Sequence, residues 1–276
     1  MLKENLTNKT GSPLFIMGSG RSGTTLLQRT LNSHKDICIW GEHGGFLKQT
    51  AEAYFSFLDG DFKNKAVIPG KDDARMENSL KRIKNPANWI AWDNCFDKDG
   101  IKNNFRYFLE SFFNPQGLNN KFWGFKEIRY GLEDRVLEFL KDIFPEAKFI
   151  FMVRNPSDTI LSQIAMFCDG DKENFQSLAK NWVMQNNAYF DFNKNNPESS
   201  IIIRYEDCVS DNEKALNKMF SFLDLQCSPR QSEVIFFDSG RGEDPKPCKR
   251  QSLLNKEEMN LVFSIVRETA LKFNYQ

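Results

Sequence analysis

A glycine-rich segment near the amino end carries residues suited to binding an anion. "FIMGSGRSGTTLLQR" spans residues 15–29, and its glycines at 18, 20 and 23 fit both the GxGxxG dinucleotide pattern and the GxxxxG frame of a P-loop. A loop of this kind between a strand and a helix directs backbone N–H groups at an anion. Because a cation and several hydroxyl groups accompany the glycines, the segment predicts an oxyanion site formed by Gly20, Arg21, Ser22, Gly23, Thr24 and Thr25.

Three other interpretations of this loop compete with a short-anion site. A dinucleotide loop, which Glu42 about 20 residues on would support, prefers small or apolar residues where Arg21 stands. A nucleoside-triphosphate loop needs a lysine where this chain has Thr24. The third alternative is a tight turn that needs glycines only for its backbone geometry, and it does not explain the presence of Arg21. A cation inside the loop instead favours a shorter anion held without a metal, such as a phosphate that carries a transferable sulfonyl group.

A second anion site is indicated by "FIFMVRNPSDTILSQ", residues 149–163. Arg154 ends an apolar strand, Pro156 suits the first turn of a helix, and Ser162 lies eight residues after Arg154 on that helix. An arginine beside a helix amino terminus binds phosphate through its guanidinium fork and the helix dipole. A surface salt bridge is the alternative role for this arginine.

The two segments together resemble the sulfotransferase family, whose donor is 3′-phosphoadenosine 5′-phosphosulfate (PAPS). "RSGTT" at residues 21–25 matches the family loop that holds the 5′-phosphosulfate, and Arg154 with Ser162 matches the pair that holds the 3′-phosphate. The resemblance implies a P-loop-like loop, no metal, and 3′,5′-bisphosphoadenosine (PAP) as the product. "RYED" resembles a family strand that would place Tyr205 near the adenine, although a tyrosine that caps the core fits equally.

The resemblance also implies the catalytic residues. Cytosolic members use a histidine in a K-T-H arrangement, but here "KEI" has Lys126 followed two residues later by Ile128. The tyrosyl-protein branch uses a glutamate after its second strand, and "WGEHGGF" places Glu42 there. Glu42 is therefore predicted as the general base with His43 as its rival, and Lys126 as the cation at the leaving oxygen.

The segment "GRGEDPKPCKRQS" near the carboxyl end departs from the family's R-K-G-x-x-G closure. Lys249 and Arg250 are candidates to contact the 3′-phosphate in its place. A solvated charge cluster is an equally good interpretation of these two residues.

Composition narrows the setting of the site. The 276 residues include 37 Lys plus Arg and 37 Asp plus Glu, so the chain has no net charge, and a nucleic-acid protein held by bulk electrostatics is disfavoured. No apolar run approaches the roughly 18 residues of a membrane span. The six scattered cysteines form no CxxC pair, which favours a reduced, cytoplasmic protein. They are Cys38, Cys95, Cys168, Cys208, Cys227 and Cys248.

Short apolar runs alternate with helical patterns, which predicts a three-layer α/β/α fold with a central parallel sheet in one domain, residues 1–276. Residues 46–118 are predicted to be a largely helical insertion over the acceptor side, with a turn at Asp99-Gly100. The strand candidates are "PLFIM" (13–17), "DICIW" (36–40), "KFWGF" (121–125), "AKFIFMV" (147–153) and "SIIIRY" (200–205).

Helix patterns connect these strands. "GLEDRVLEFLKDIF" from residue 131 predicts a helix with one apolar stripe, formed by Leu132, Val136, Leu137, Leu140 and Phe144. Capping boxes are predicted at Ser210–Glu213 and at Asn255 with Glu258.

The expected activity is transfer of a sulfonyl group from PAPS to a hydroxyl or amine of a small molecule, such as a specialised metabolite. A nucleotide kinase, an NAD-dependent oxidoreductase and a PAPS- or PAP-binding protein without catalysis remain alternatives. Aromatic residues of the insertion are candidates to line an apolar acceptor pocket, or else belong to an ordinary core. They are Trp89, Trp92, Phe105, Tyr107, Phe108, Phe112 and Phe113.

Overall fold

A central sheet of five parallel strands organises the computed structural model. The structure describes residues 11–59, 67–68, 73–85, 87, 96–114, 119–131, 133–167, 172–239 and 253–276. Each of the five predicted strands is present in this sheet, which confirms the predicted fold class. The sheet strands are β1 (Ser12–Gly18), β2 (Ile37–Trp40), β5 (Phe122–Glu127), β6 (Lys148–Val153) and β7 (Ser200–Arg204), and β3 (Val67–Ile68) and β4 (Phe96–Asp97) form a separate short pair.

Helices pack on both faces of the sheet. The described helices are α1 (Thr24–Asn32), α2 (Leu47–Asp59), α3 (Asp73–Ile83), α4 (Lys98–Phe113), α5 (Val136–Ile143), α6 (Pro156–Phe167), α7 (Phe175–Asn195), α8 (Tyr205–Ser210), α9 (Asn212–Phe222), α10 (Pro229–Ser239) and α11 (Lys256–Lys272). Side chains alternate along β1, so Phe15 and Met17 meet α2, α4, α5 and α7, while Leu14 and Ile16 meet α1, α8 and α9. Helix, sheet and helix therefore form three layers.

The strand order is β2-β5-β1-β6-β7. The chain leaves β1 toward β2 on one side and later adds β6 and β7 on the other side, so the direction of winding changes at β1. In open parallel sheets, ligands bind beyond the carboxyl ends of the strands at such a switch point. The glycine-rich loop follows β1 directly and therefore occupies this position.

Three local predictions were wrong in detail. The helix predicted from residue 131 begins at Val136, because Arg135 before it has a left-handed φ of 50°. Asp211, not Ser210, caps α9 by accepting a hydrogen bond from the amide of Lys214. The Asp99-Gly100 pair lies in the first turn of α4.

The predicted Asn255–Glu258 capping box is confirmed, since each side chain bonds to the other residue's backbone N–H. Asp97 caps α4 through the amide of Asp99, which explains why a helix begins where Asp and Gly suggested a turn.

Cys38, Cys208 and Cys227 are free thiols, and burial raises the pKa of Cys208 to about 12. The other three cysteines lie outside the described residues. Among the described helices, none combines the length and apolar character needed to cross a bilayer.

Candidate active site

The predicted site residues that the structure describes lie around the carboxyl edge of the sheet. Residues 20–25 follow β1, Glu42 and His43 follow β2, and Lys126 lies near the end of β5. Arg154 follows β6, Tyr205 follows β7, and Ser162 is on α6. The predictions for Lys249 and Arg250 fall outside the described residues.

The glycine-rich loop has the features of an anion cradle. Gly23 precedes α1 with φ +99°, and a Cβ there would lie 2.4 Å from Cδ2 of Tyr205. No described side chain caps the amino end of α1, so its first N–H groups face the loop without a side-chain acceptor. The hydroxyl of Ser22 is buried and has no hydrogen-bond partner within the described structure.

The two motifs predicted to bind anions are in direct contact. Nε of Arg21 donates to Oγ of Ser162 at 3.1 Å, and Nη1 of Arg154 donates to the carbonyl oxygen of Arg21 at 3.2 Å. The guanidinium of Arg154 lies 4.4 Å from the ring centre of Tyr205. Its Nε is buried without a partner among the described residues. The sequence indicated two separate cationic sites, and the structure joins them into one.

The amino terminus of α6 is less open to an anion than the sequence indicated. Oδ1 of Asn155 accepts from the amides of Ser157 at 3.0 Å and Asp158 at 3.3 Å. Because Pro156 has no N–H, this cap occupies the donors of the first turn. The capacity to bind an anion here therefore rests on the side chains of Arg154 and Ser162.

Two buried side-chain amides that the sequence analysis missed bind the glycine-rich loop. Nε2 of Gln163 donates to the carbonyl oxygen of Gly20 at 2.8 Å. Nδ2 of Asn186 on α7 donates to Oγ of Ser19 at 3.2 Å. Their partners are more than a hundred residues away in sequence, so no local pattern identifies them.

Glu42 is held between two cations. Its Oε1 lies 2.5 Å from Nζ of Lys126, and its Oε2 lies 3.2 Å from Nη1 of Arg129. Lys126 pairs in register with Ile16 of β1, two residues before the glycine-rich loop begins. Ile128, at the position of the family's histidine, has its Cδ1 only 3.5 Å from where a Cβ on Gly20 would lie. Lys126, with Glu42 bound to it, therefore lies on the strand beside β1, near the start of the glycine-rich loop.

Glu127 is a third residue that the sequence analysis missed. Its fully buried carboxylate accepts hydrogen bonds from the amides of His43 at 3.2 Å, Gly45 at 3.1 Å and Ile128 at 2.8 Å. Burial raises the pKa of Glu127, but the Ile128 amide and the Arg129 guanidinium lower it by more, so the net pKa is lowered. The ionised carboxylate fixes the segment that carries Glu42.

The imidazole of His43 is enclosed by aromatic rings. Phe125 lies 4.6 Å and Phe46 4.8 Å from it, centre to centre. Burial lowers the pKa of His43, and the nearby carboxylate of Glu127 opposes this effect. His43 is therefore neutral near pH 7 and has 11% of its side chain exposed, against 32% for Glu42.

An aromatic cluster continues from His43 toward α4. Phe46 lies 6.3 Å from Phe108 and 6.0 Å from Phe112, and both α4 rings are exposed. Phe105 instead packs into the core beside Tyr54, so the predicted aromatic set divides between core and surface. Trp89 and Trp92 lie outside the described residues.

Known proteins resemble this chain in sequence and in fold. Residues 13–229 match the model of the sulfotransferase family. The sulfotransferase domain from the Synechococcus PCC 7002 olefin synthase is similar with TM-score 0.57 and 17% identity, over 98% of this chain and 97% of that chain. The sulfotransferase domain from the curacin biosynthetic pathway gives 0.57 and 18%, over 97% and 99%. A sulfotransferase from Mycobacterium avium gives 0.53 and 13%, over 97% and 78%. No curated protein sequence matches significantly. At these identities the structural likeness shows a shared fold.

Proposed function

The chain belongs to the sulfotransferase family, and on that premise we propose that it transfers the sulfonyl group of PAPS to a hydroxyl or amine of a small molecule. The observation that carries the proposal is the contact between Arg21 and Ser162, which joins the motif for a 5′-phosphosulfate to the motif for a 3′-phosphate. A nucleotide that carries phosphate groups at both its 5′ and its 3′ position would match two such motifs in contact.

The residues present fit such a donor. Ser22 Oγ and Arg154 Nε are buried without partners in the described structure, which is costly unless a ligand satisfies them. Phosphate oxygens are acceptors for both donors. In this proposal residues 20–25 hold the 5′-phosphosulfate, Arg154 and Ser162 hold the 3′-phosphate, and Tyr205 contacts the adenine.

The proposed reaction is an in-line displacement at sulfur. A bond forms between the acceptor oxygen or nitrogen and sulfur while the bond from sulfur to the bridging phosphate oxygen breaks, and PAP leaves. Glu42 takes the acceptor proton. Lys126 offsets the negative charge that develops on the bridging oxygen, as a compact ammonium can.

Glu42 is favoured over His43 as the base because its side chain is more exposed. Its carboxylate is partly exposed beside Lys126, whereas the His43 ring lies among Phe46, Phe113 and Phe125. A base must come within hydrogen-bond reach of the acceptor.

The acceptor side is proposed to lie along α4, within the 46–118 segment of a single domain. The exposed rings of Phe108 and Phe112 adjoin Phe46, and Phe46 adjoins His43, next to the proposed base. An apolar portion of a small metabolite would pack here while its hydroxyl or amine faces Glu42.

Thermal melting with nucleotides tests the donor. PAP is expected to stabilise the protein by about 2.7 kcal/mol at 100 times its dissociation constant, whereas ATP with Mg²⁺ and NAD are expected to have no effect. Stabilisation by ATP with Mg²⁺ or by NAD alone would instead support a kinase or an oxidoreductase.

Catalysis is tested by mass spectrometry of a metabolite extract incubated with PAPS and the protein. A compound that gains one sulfonyl group identifies the acceptor. Binding of PAP without any sulfated product or PAPS consumption would leave a nucleotide-binding protein without transfer activity.

A further inference from the structure

Arg129 is a half-exposed arginine whose guanidinium bridges two carboxylates. Its Nη1 donates to Oε1 of the buried Glu127 at 2.6 Å and to Oε2 of Glu42 at 3.2 Å. On the backbone, Nε2 of Gln185 binds the carbonyl oxygens on either side of it, Ile128 at 2.8 Å and Tyr130 at 3.2 Å. Exposed ion pairs contribute little to stability because ordering two long side chains costs entropy, but the Glu127 partner of Arg129 is fully buried.

Glu42 and the three ionised side chains paired around it carry no net charge together. Lys126 and Arg129 are cations, and Glu42 and Glu127 are anions, with His43 neutral beside Glu127. If Lys126 turns toward a negatively charged donor, Glu42 loses its partner at 2.5 Å. A partly buried carboxylate left without a partner is unfavourable.

We propose that Arg129 is a positioning residue that keeps Glu42 paired and oriented when the Lys126 ammonium turns toward the donor. This inference rests on the proposed function. Because the Arg129 guanidinium is anchored on Glu127, it holds Oε2 of Glu42 while Oε1 is released toward the acceptor. In this arrangement Lys126 pairs with the negative charge that develops on the donor, while Arg129 stays paired with the base, Glu42.

Isothermal titration calorimetry with PAP and adenosine 3′-phosphate tests this division without requiring an acceptor. The wild-type protein is expected to bind PAP more tightly, because PAP alone carries the 5′-phosphate oxygen that Lys126 contacts in the proposed function. In Arg129→Ala, Lys126 stays with Glu42, so the affinity for PAP is expected to fall about tenfold while that for adenosine 3′-phosphate stays within about twofold. Lys126→Ala is expected to lose the same part of the preference for PAP, and Arg129→Lys, which keeps a charge without the fork, is expected to lose less of it.

Arg135→Ala is the matched control. Arg135 is 45% exposed, close to the 44% of Arg129, and likewise bridges two carboxylates, Asp59 and Glu138. It is expected to keep the full preference for PAP over adenosine 3′-phosphate.

The outcomes separate this inference from the proposed function. If the wild type binds neither nucleotide, the proposed function fails. If the wild type prefers PAP over adenosine 3′-phosphate and Arg129→Ala keeps the full preference, as the control does, Arg129 has no such role. Equal wild-type affinities for PAP and adenosine 3′-phosphate would also overturn it. A PAP-induced melting shift in each variant verifies that the variant is folded.

Discussion

The guanidinium of Arg154 lies 4.4 Å from the ring centre of Tyr205, so the end of β6 stacks on the start of α8. The same tyrosine ring also lies against Gly23. A tyrosine that the sequence left between an adenine contact and a core residue therefore connects Arg154 to the glycine-rich loop.

Gly23→Ala is predicted to destabilise the protein more than Gly44→Ala. Both glycines have positive φ, which costs alanine about 1–2 kcal/mol. A Cβ added at Gly44 would have nothing within 4 Å, whereas a Cβ added at Gly23 would meet Tyr205 at 2.4 Å. Urea unfolding of the two variants measures the difference, and equal losses would mean that Tyr205 yields without cost.

Arg154→Ala is predicted to weaken binding of PAP by about 10- to 100-fold, since a charge-assisted contact to phosphate is lost. Binding of adenosine 5′-phosphosulfate, which lacks the 3′-phosphate, is expected to change little. Calorimetry with both nucleotides checks this. Similar losses for the two would show that Arg154 does not read the 3′ group.

Glu42→Gln is predicted to lower the rate of sulfonyl transfer by about 10²- to 10⁴-fold, because the amide cannot accept the acceptor proton. PAP affinity should stay within about twofold, since Glu42 is not among the proposed nucleotide contacts. PAPS consumption in the presence of the identified acceptor provides the measurement. An unchanged rate would transfer the role of base to another group, with His43 examined next.

His43→Phe is predicted to flatten the dependence of stability on acid pH. Burial lowers the pKa of His43 in the folded protein below its ordinary 6.5, although Glu127 opposes the shift. The unfolded chain therefore binds the proton first, and stability declines as pH falls from 6.5 through the lower folded value. Phenylalanine keeps the ring packing without titrating. Unfolding free energies between pH 8 and 5 should diverge for the two proteins, and parallel curves would contradict the prediction.

The sequence alone predicted the sheet and the segments that form the candidate site. Apolar runs such as 147–153 are buried on both faces because neighbouring strands and two helical layers cover them, and that pattern is local. The glycine loop and the Arg154–Ser162 spacing are also local, since each follows one strand and begins one helix. Their placement at one edge then follows from a parallel sheet.

Tertiary structure decided how these pieces meet. Arg21 donates a hydrogen bond to Ser162, which lies 141 residues away in the sequence. Glu127 accepts hydrogen bonds from backbone amides of the segment after β2, because β5 lies beside β2 in the sheet. Local periodicity specifies that a strand exists and not which strand lies beside it. The partners of Glu42, Gly20 and Arg129 depend on that order, and so only the folded chain reveals them.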